Sequence, residues 1–499
     1  MAQRLDDEYP IRPFADPADF ERTAEWLRET GFTTGILRDE LGIEDTTPPG
    51  SVEGSALVHG LSGSDPKHLL LRLFVLGQPL SAGKAAEALG PVAPERWRET
   101  GILVDDPGGF RCPVRLLPLP GETDGWCVGD ASDSYSRPDF VMCPTGISAT
   151  LAQLMLRRPA GSLLDLGTGT GYLAVIASRF AESVVATDLC PRALPLTRFN
   201  AMLNGCGNVE ALVGSLYEPV GDRRFDRIVA NPPFILGPGS GHMYRDAGGT
   251  IDGIPWQMAR GAPGHLEEGG LLHMPLHWPL RRGEESAPLF REWLGGLGCD
   301  AWVMILARLS AADYVRTNAS EVHYLRSPEF VAEYVRGIEY FSEAGVDEIG
   351  AGLLTLRKRS DAENWLHVEE APRFLGPVGE DLARLFDARD LVREDRDGSR
   401  LLAACPTVAQ GLELHQLATL GEDAGWETRS AEFRRTRGLA YVGKTDPVAA
   451  GILARCDGSV TTAELIEGLA RSTGQPAASL RDPVMAAMRT MIELGFLLL

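Results

Sequence analysis

The 499-residue sequence contains no uninterrupted apolar run of about 18 residues, the length that a transmembrane helix would require. Its opening residues, MAQRLDDEYP, are mixed and acidic, without the basic start and apolar core of a secretory signal. The sequence therefore indicates neither a membrane protein nor a secreted one, and we expect a cytoplasmic location.

Closely spaced cysteines are also missing. The eight cysteines are scattered, and none forms a C-x-x-C pair. Disulfide frameworks and zinc sites are usually marked by such spacing. We therefore expect reduced thiols, several of them in the core, and no bound metal.

Positive charge is scarce, since 48 Lys and Arg residues face 69 Asp and Glu residues, for a net charge of −21. This balance disfavours a large basic surface for nucleic acid. It leaves room for a small basic patch, for example at Arg434, Arg435 and Arg437. The hydrophobic fraction of 44% is ample for packed cores, and the length suggests about three domains.

The patterning divides the chain into regions 1–130, 131–360 and 371–499. The first shows helical spacing followed by a strand, a turn and a second strand, which predicts a winged-helix-like α+β module. Such a module either recognises a substrate or caps its neighbour. The third region predicts short helices, a turn at Asp457-Gly458, a helix cap at Thr461 or Thr462 and a final apolar strand. Its last sixty or so residues resemble the winged-helix domains that bind peptides in the pyrroloquinoline-quinone chaperone family.

The central region alternates strands with helices, which predicts an α/β fold with a Rossmann-like, mostly parallel sheet covered on both faces. Sheets of this kind bind ligands at the carboxyl ends of their strands. Seven strands are predicted, with the sequences SLLDLG, SVVATD, VEALVGS, DRIVANP, GGLLHMPL, DAWVMILAR and GLLTLRKR.

A glycine loop follows the first of these strands, in the sequence LLDLGTGTGYLAV. Gly167, Gly169 and Gly171 allow sharp turns and close approach of a ligand. The third glycine comes one position earlier than in the G-x-G-x-x-G fingerprint, which argues against NAD or FAD. The carboxylate of Asp165 would repel phosphate but can accept a hydrogen bond from the ammonium group of S-adenosylmethionine.

Polar groups at the next strand ends complete a predicted S-adenosylmethionine site. Asp188 lies near the spacing at which an acidic residue binds both ribose hydroxyls. Ser215 and the N–H of Leu216 are positioned to contact an adenine edge. The full predicted set for the cofactor is Asp165, Gly167, Thr168, Gly169, Gly171, Asp188, Leu189, Ser215, Leu216 and Asn231.

The stretch IVANPPFILG follows the fourth predicted strand. Together with DLGTGTG and ATD, in this order, its NPPF element resembles that of class I methyltransferases acting on the nitrogen of a planar group. The release factor glutamine methyltransferases are the most similar in pattern, and ribosomal-RNA guanine methyltransferases of the same "small domain" group are also similar. The resemblance covers most of region 131–360 and implies a seven-stranded class I core.

The residue types of NPPF suit a planar nitrogen, whose delocalised lone pair makes it a poor nucleophile. The side-chain oxygen of Asn231 and the carbonyl of Pro232 can accept its two N–H groups and favour the attacking geometry. Phe234 can stack on the flat face of the acceptor. We therefore predict Asn231, Pro232 and Phe234 as catalytic, with no need for a metal, and Pro233 as substrate-binding.

Two neighbouring stretches fit the same resemblance. The segment YSRPDFVMCPTGISATLAQLML lies where relatives fold a segment over the cofactor, although CPTG replaces the P-R-p-x-T element of the glutamine enzymes. MYRDAGGTIDG follows NPPF, and its Arg245 and Asp246 are predicted to contact substrate, an exposed ion pair being the alternative.

Two further stretches are interpreted as packing. His273 and His277 are assigned to a strand interrupted by Pro275 rather than to a metal site. The amphipathic segment SPEFVAEYVRGIEYFSEAG is interpreted as a packing helix, with a place at the substrate mouth as the alternative.

These observations predict a methyltransferase that transfers a methyl group from S-adenosylmethionine to an amide or amino nitrogen. The acidic charge and the tail favour a protein or peptide acceptor, with a glutamine amide as one candidate. The alternative acceptor is a base in RNA or DNA. A third hypothesis is a non-catalytic binding protein with a decayed fold, and the complete motif argues against it. No oligomeric state is predicted.

Overall fold

The computed structural model describes residues 11–43, 57, 60, 61, 63, 65–121, 124–131, 137, 139–239, 253–323, 325–360, 363–420 and 425–499. The chain divides into two compact units. The larger comprises residues 1–152 and 158–371, and the smaller comprises residues 153–157 and 372–499. No helix among the described residues is long and apolar enough to cross a bilayer.

An eight-stranded mixed sheet forms the centre of the larger unit. We number its strands β1 to β8 in chain order: Ala160–Leu166, Ala181–Asp188, Val209–Val213, Phe225–Ala230, Leu266–Leu280, Cys299–Ser310, Glu348–Lys358 and Leu366–Glu370. Their order across the sheet is β8-β6-β7-β5-β4-β1-β2-β3. Only β7 runs antiparallel to its neighbours in this sheet.

The central strands form because their apolar runs are buried on both faces, as parallel strands require. Leu163 and Leu164 in β1 and Ile228 in β4 are all almost completely inaccessible to solvent. Strand β1 pairs with β2 on one side and with β4 on the other, so the winding reverses there. A crevice at the carboxyl ends of β1 and β4 follows from this reversal.

The seven predicted strands are β1 to β7, so the predicted strand count was one short. The missed strand, β8, is a parallel edge strand that pairs with β6. Its sequence, LHVEE, is short and only partly buried, so its apolar pattern is weak. The expected interruption of β5 was also wrong, since Pro275 lies within the strand opposite Leu353 of β7.

Helices of the larger unit lie in its amino-terminal region and in the connections between the strands of this sheet. The described helices are Ala18–Glu29, Thr34–Leu41, Pro66–Leu70 with the π-helical turn Leu71–Val75, Ala82–Leu89, Pro94–Glu99, Gly146–Leu154, Tyr172–Ala177, Ala193–Leu203, the 3-10 turn Glu218–Val220, Ile254–His265, Ser286–Leu294, Ala311–Val322 and Pro328–Glu343. Two small sheets precede the main sheet, with strands Leu80–Ser81, Val104–Asp106 and Gly109–Arg111, and with the hairpin Val114–Pro118 and Trp126–Asp130.

The amino-terminal helices share a hydrophobic core with helix Ala193–Leu203 of the central fold. Phe199 of that helix contacts the rings of Phe14 and Phe20, with centroids 5.7 and 5.0 Å apart. Aromatic contacts of this kind add to the burial of apolar area. The described residues between 11 and 131 therefore share one continuous core with the sheet domain.

The smaller unit contains five helices and seven short or paired strands among its described residues. The helices are Gly379–Glu394, Ser399–Ala403, Pro447–Leu453, Thr462–Thr473 and Ala477–Glu493. The strands are Arg373–Leu375, Thr407–Val408, Leu412–Leu420, Trp426–Arg435, Gly438–Ala440, Val442–Thr445 and Leu497–Leu498.

Local signals at the end of the chain match these elements. Thr461 caps helix Thr462–Thr473 in a reciprocal arrangement with Glu464, as Thr-x-x-Glu predicts. The final apolar residues form strand Leu497–Leu498. The sheet built from Leu412–Leu420 and Trp426–Arg435 was not predicted, because most of its residues are exposed and lack a buried apolar face.

Candidate functional site

The glycine loop links β1 to helix Tyr172–Ala177 at the carboxyl edge of the sheet. Gly167, Gly169 and Gly171 all adopt positive φ, at 79°, 56° and 82°. A side chain is strained in that conformation, so glycine is required at these turns. The N–H groups of Gly167 and Thr168 donate to the carbonyl of Thr187, at 2.8 and 2.9 Å, which fastens the loop to β2.

Asp165 lies under this loop and is only 1% exposed. Its Oδ2 accepts hydrogen bonds from the Thr168 hydroxyl at 2.7 Å and the Ala174 N–H at 2.9 Å. Its Oδ1 is buried and has no hydrogen-bond partner among the described residues. Burial raises the pKa of this carboxyl to about 7. An unused acceptor of this kind is suited to an ammonium group, which would restore the charged form.

Asp188 ends β2 and holds the loops on either side of it. Its Oδ2 accepts the Gly169 N–H and its Oδ1 accepts the Cys190 N–H, both at 2.8 Å. Burial raises its pKa, and these two backbone hydrogen bonds lower it in opposition. The carboxylate lines a cavity at this edge, and the exposed side chain of Leu189 lines it too.

The turn after β3 is also shaped for this cavity. Leu216 has a φ of 48°, and only one other described non-glycine residue, Arg326, has a positive value. Such strain in a residue with a side chain persists where surrounding structure imposes it, commonly at binding sites. Ser215 and Leu216 both line the cavity.

The cavity lies at the carboxyl ends of β1 to β4, in agreement with the reversal of winding. Its walls come from all four loops and from two segments outside them. The lining residues are Phe140, Val141, Met142, Cys143, Pro144, Ser148, Leu166, Gly167, Thr168, Gly169, Thr170, Tyr172, Leu173, Thr187, Asp188, Leu189, Cys190, Ala193, Gly214, Ser215, Leu216, Asn231, Pro233, Ile254, Gln257 and Met258.

Residues 140–144 form one wall of the cavity, where the sequence predicted a segment over the cofactor. They are anchored by Asp130, whose carboxylate accepts two hydrogen bonds from the guanidinium of Arg192, at 2.5 and 2.6 Å. The same carboxylate accepts the Val141 N–H at 2.7 Å. This buried ion pair was not predicted, because nothing in the sequence near Asp130 indicates its partner.

Two asparagines attach the strand before this wall to the central fold. Asn200 donates to the carbonyl of Val128 and accepts its N–H, at 2.9 and 2.7 Å. Asn204, one helical turn further, does the same for the backbone of Trp126, at 2.7 and 3.0 Å. Helical spacing of i and i+4 therefore continues the hydrogen-bond pattern of strand Trp126–Asp130 with side-chain amides.

The NPPF element begins directly after β4. Asn231 lines the cavity, and its Nδ2 donates to the hydroxyl of Ser148 at 3.3 Å. Its Oδ1 is buried and has no hydrogen-bond partner among the described residues. The amide is therefore oriented by Ser148 with its oxygen unused, which leaves that oxygen able to accept an N–H group of a ligand.

Of the remaining NPPF residues, one lines the cavity and two do not. Pro233 lines the cavity, whereas Pro232 is buried and does not line it. Phe234 also lies away from the cavity lining and packs on the ring of His277, at 4.7 Å between centroids and 69° between planes. Arg245 and Asp246, the predicted substrate contacts, lie outside the described residues.

The two histidines of β5 are embedded among protein groups. The Nδ1 of His273 lies 3.0 Å from the Thr355 hydroxyl, and that of His277 lies 2.7 Å from the Tyr314 hydroxyl. Burial lowers the pKa values to about 3 and about 4. Both rings are therefore neutral at physiological pH.

The central segment matches a known family. Residues 146–281 match the model of the methyltransferase small domain. Residues 383–499 match the model of a domain of unknown function, DUF7782. The predicted resemblance of the central region to the small-domain methyltransferases is confirmed.

Curated relatives agree with this match. The release factor glutamine methyltransferase of Aliivibrio fischeri is 46% identical over 151 residues, covering 28% of this chain and 52% of the relative. That of Bordetella pertussis is 36% identical over 176 residues, covering 32% and 64%. The chain spans about half the length of the curated relatives it matches.

A solved structure, the ribosomal protein L11 methylase of Lactobacillus delbrueckii, aligns at 22% identity with a TM-score of 0.25, covering 44% of this chain and 81% of that one.

The residues of the cavity suit S-adenosylmethionine. Asp188 lines the cavity where ribose hydroxyls are bound in Rossmann-like folds. Asp165 lies outside the lining and retains a buried oxygen without a hydrogen-bond partner among the described residues, and its predicted contact with the ammonium group stays a prediction. Apolar groups from Leu189, Leu216 and Met258 provide surface for an adenine ring and a methionine chain.

Proposed function

We propose that this protein is an S-adenosylmethionine-dependent N-methyltransferase whose acceptor is the side-chain amide of glutamine in a protein. The observation that supports this most is the Asn231 Oδ1, which is buried, unpaired among the described residues and placed on the wall of the cavity. An acceptor oxygen held in this way has a clear use only if a ligand N–H reaches it.

In the proposed mechanism the protein contributes mainly by positioning the acceptor nitrogen. S-adenosylmethionine, when bound, supplies an electrophilic methyl group. Asn231 Oδ1, on the cavity wall, accepts one N–H group of the acceptor amide and orients its nitrogen for in-line displacement. The carbonyl of Pro232 is the predicted acceptor of the second N–H group, although Pro232 itself lies outside the cavity lining. One proton leaves the nitrogen after transfer, so the products are the N-methyl amide and S-adenosylhomocysteine. Neither a metal nor a strong base is needed.

The protein acceptor is supported by the names of the relatives, which act on a release factor, and by the charge of −21. The alternative acceptor, a nucleic-acid base, shares the planar nitrogen that NPPF suits. A nucleic-acid enzyme would be retained on heparin, with binding that falls steeply with salt. We expect no such retention.

The end regions, 1–130 and 371–499, are proposed as winged-helix-like modules flanking a class I methyltransferase domain at 131–360, in a cytoplasmic protein. The order of elements between residues 66 and 111 supports this for the first module: helix, strand, two helices and a hairpin. A role in presenting the protein acceptor would explain their presence.

The test is methyl transfer from labelled S-adenosylmethionine to a purified bacterial release factor, with Asn231→Ala as the matched control. We expect label on a glutamine in the wild-type reaction, and a fall of about 100-fold or more in the variant, by analogy with loss of a transition-state hydrogen-bond partner. Mass spectrometry would locate the methyl group. Equal labelling by both proteins, or label confined to nucleic acid from a lysate, would contradict the proposal.

A further inference from the structure

A pair of helices is inserted between β6 and β7, at the same edge of the sheet as the cavity. Helices Ala311–Val322 and Pro328–Glu343 approach each other closely, since a Cβ on Gly337 would lie 2.6 Å from a methyl group of Val315. We call residues 311–343 the inserted helical pair. Together with Ile349 of β7 it forms a small hydrophobic core, distinct from the main core of the sheet.

That small core includes the residues immediately after NPPF. Ile235 and Leu236 pack against Tyr314, Val315 and Phe341 of the inserted helical pair. The NPPF element is therefore not supported by β4 alone, because the partly buried residues that follow it pack against a separate part of the chain.

Tyr314 makes the polar contacts within this core and is only 2% exposed. Its hydroxyl accepts the N–H of Leu236 at 3.0 Å and lies 2.7 Å from Nδ1 of His277. A hydroxyl has a single proton to donate, and neutral His277 needs a donor at Nδ1 when its proton is on Nε2. In that tautomer the Tyr314 hydroxyl donates to His277 and accepts from Leu236, and in the other tautomer it accepts from both, so in either case it bridges the two groups.

These two hydrogen bonds involve the two neighbours of Phe234: the ring of His277, which packs on it, and the backbone of Leu236, which follows it in the chain. The rings of His277 and Phe234 pack edge-to-face, with centroids 4.7 Å apart. The rings of His277 and Tyr314 also pack edge-to-face, with centroids 5.4 Å apart. Leu236 is held two residues beyond Phe234 in the chain. One hydroxyl thereby contacts both the ring that packs on Phe234 and the backbone two residues after Phe234.

We propose that Tyr314 is a positioning residue for the acceptor site, acting through His277 and Leu236 to hold Phe234 and the NPPF turn. The inference rests on the proposed function of residues 231–234, and it assigns to the inserted helical pair a part in acceptor geometry. Tyr314 itself does not line the cofactor cavity, so cofactor affinity should not depend on it.

The first test compares Tyr314→Phe with Tyr334→Phe, which removes a hydroxyl from the neighbouring helix, where Tyr334 stacks on Phe330. With a release factor as acceptor, we expect Tyr314→Phe to lower kcat by about tenfold or more, because small displacements of a reacting geometry are costly. Affinity for S-adenosylhomocysteine should stay unchanged in both variants. Wild-type kcat in Tyr314→Phe would overturn the inference.

A double-mutant cycle separates positioning from general stability. If Tyr314 acts through Phe234, then Tyr314→Phe should change kcat by less than about twofold in a Phe234→Ala background. A full additional loss in that background would show that Tyr314 acts elsewhere, and would overturn the inference.

Hydrogen–deuterium exchange of residues 231–239 provides a readout that needs no acceptor. Exchange should be faster in Tyr314→Phe than in wild type or Tyr334→Phe, because the Leu236 N–H loses its acceptor. Unchanged exchange would overturn the inference. If the wild type methylates no release factor, the proposed acceptor is wrong, and the exchange comparison still decides whether Tyr314 holds the NPPF turn.

Discussion

The two halves of the candidate site are built in different ways. In the cofactor half, the hydrogen bonds of Asp165 join residues three and nine positions apart, and Asp188 reaches the glycine loop from the adjacent strand. In the acceptor half, Asn231 is oriented by Ser148, 83 positions away, and Leu236 is held by Tyr314, 78 positions away. The first half is a property of local loops, whereas the second depends on distant side chains.

Substitutions in the two halves should therefore have different effects. Changes in the loops after β1 and β2 should affect binding of the cofactor and the stability of the edge. Changes around residues 231–236 should affect turnover and leave cofactor binding intact.

The largest effects should come from one substitution in each half, measured on both kcat and cofactor affinity. Asn231→Ala should lower kcat by about 100-fold or more and leave affinity for S-adenosylhomocysteine unchanged. Asp188→Ala should lower that affinity by about tenfold or more, because two backbone N–H groups lose their acceptor. Calorimetry and initial rates would measure both. A loss of affinity in Asn231→Ala would break the separation.

The buried ion pair behind the cavity wall should have the next largest effect, on stability. Arg192→Ala leaves Asp130, 3% exposed, without its cation and should lower the free energy of unfolding by about 3 kcal/mol. The exposed pair Arg316–Asp313 is the control, since Arg316→Ala should cost less than about 1 kcal/mol. Urea unfolding would measure both, and equal costs would refute the assigned role of Arg192.

A smaller effect is expected in the glycine loop. In Gly171→Ala, the new Cβ would meet the Cγ2 of Thr197 at 2.9 Å in a backbone of φ 82°, and unfolding free energy should fall by about 2 kcal/mol. Gly207→Ala is the control, because nothing lies within 4 Å of its Cβ position and its φ is ordinary. Thermal and urea unfolding should show almost no change there. A tolerated Gly171→Ala would mean that the loop adjusts freely.

The smallest effect is a pH dependence. Asp165 has a pKa of about 7 because burial disfavours its charge, so it is protonated below that pH in the unliganded protein. Binding of an ammonium group favours the ionised form, so the affinity for S-adenosylhomocysteine should reach its maximum above pH 7. It should fall by up to about tenfold per pH unit below. Titrations with S-adenosylhomocysteine between pH 5.5 and 8 would measure this.

The matched variant for that titration is Asp165→Asn, whose affinity should be lower than that of the wild type and independent of pH in this range. If the wild-type affinity shows no fall below pH 7, Asp165 does not bind the ammonium group as an ionised carboxylate.

The placement of most of the predicted cofactor residues around one cavity could be expected from the sequence. The order of Asp165, the three glycines and Asp188 places each at a strand end, and parallel strands bring their carboxyl ends to one edge. The structure places Gly167, Thr168, Gly169, Asp188, Leu189, Ser215, Leu216 and Asn231 in the lining of one cavity. Asp165 and Gly171 lie outside that lining and support the loop. The predicted contacts of all these residues with the cofactor stay predictions.

The supporting residues were not predictable in the same way. Arg192, Asn200 and Asn204 sit on a helix with ordinary amphipathic spacing, and His277 was interpreted only as a strand residue. Their roles arise from partners such as Asp130 and Tyr314, which no local pattern connects to them. The edge strand β8 was missed for a related reason, because a short half-buried strand has little pattern of its own.

Strand periodicity, glycine at forced turns and the NPPF element are local properties of the chain, so the kind of fold and the residue types at each strand end could be predicted from them. The side chains that hold those residues in place are known only from the three-dimensional structure. Ser148 orients the amide of Asn231, and Tyr314 reaches His277 and Leu236 from an inserted pair of helices. The physical reason is that hydrogen bonds and packing act over a few ångströms in space, and the fold alone brings together residues that the chain separates by many positions.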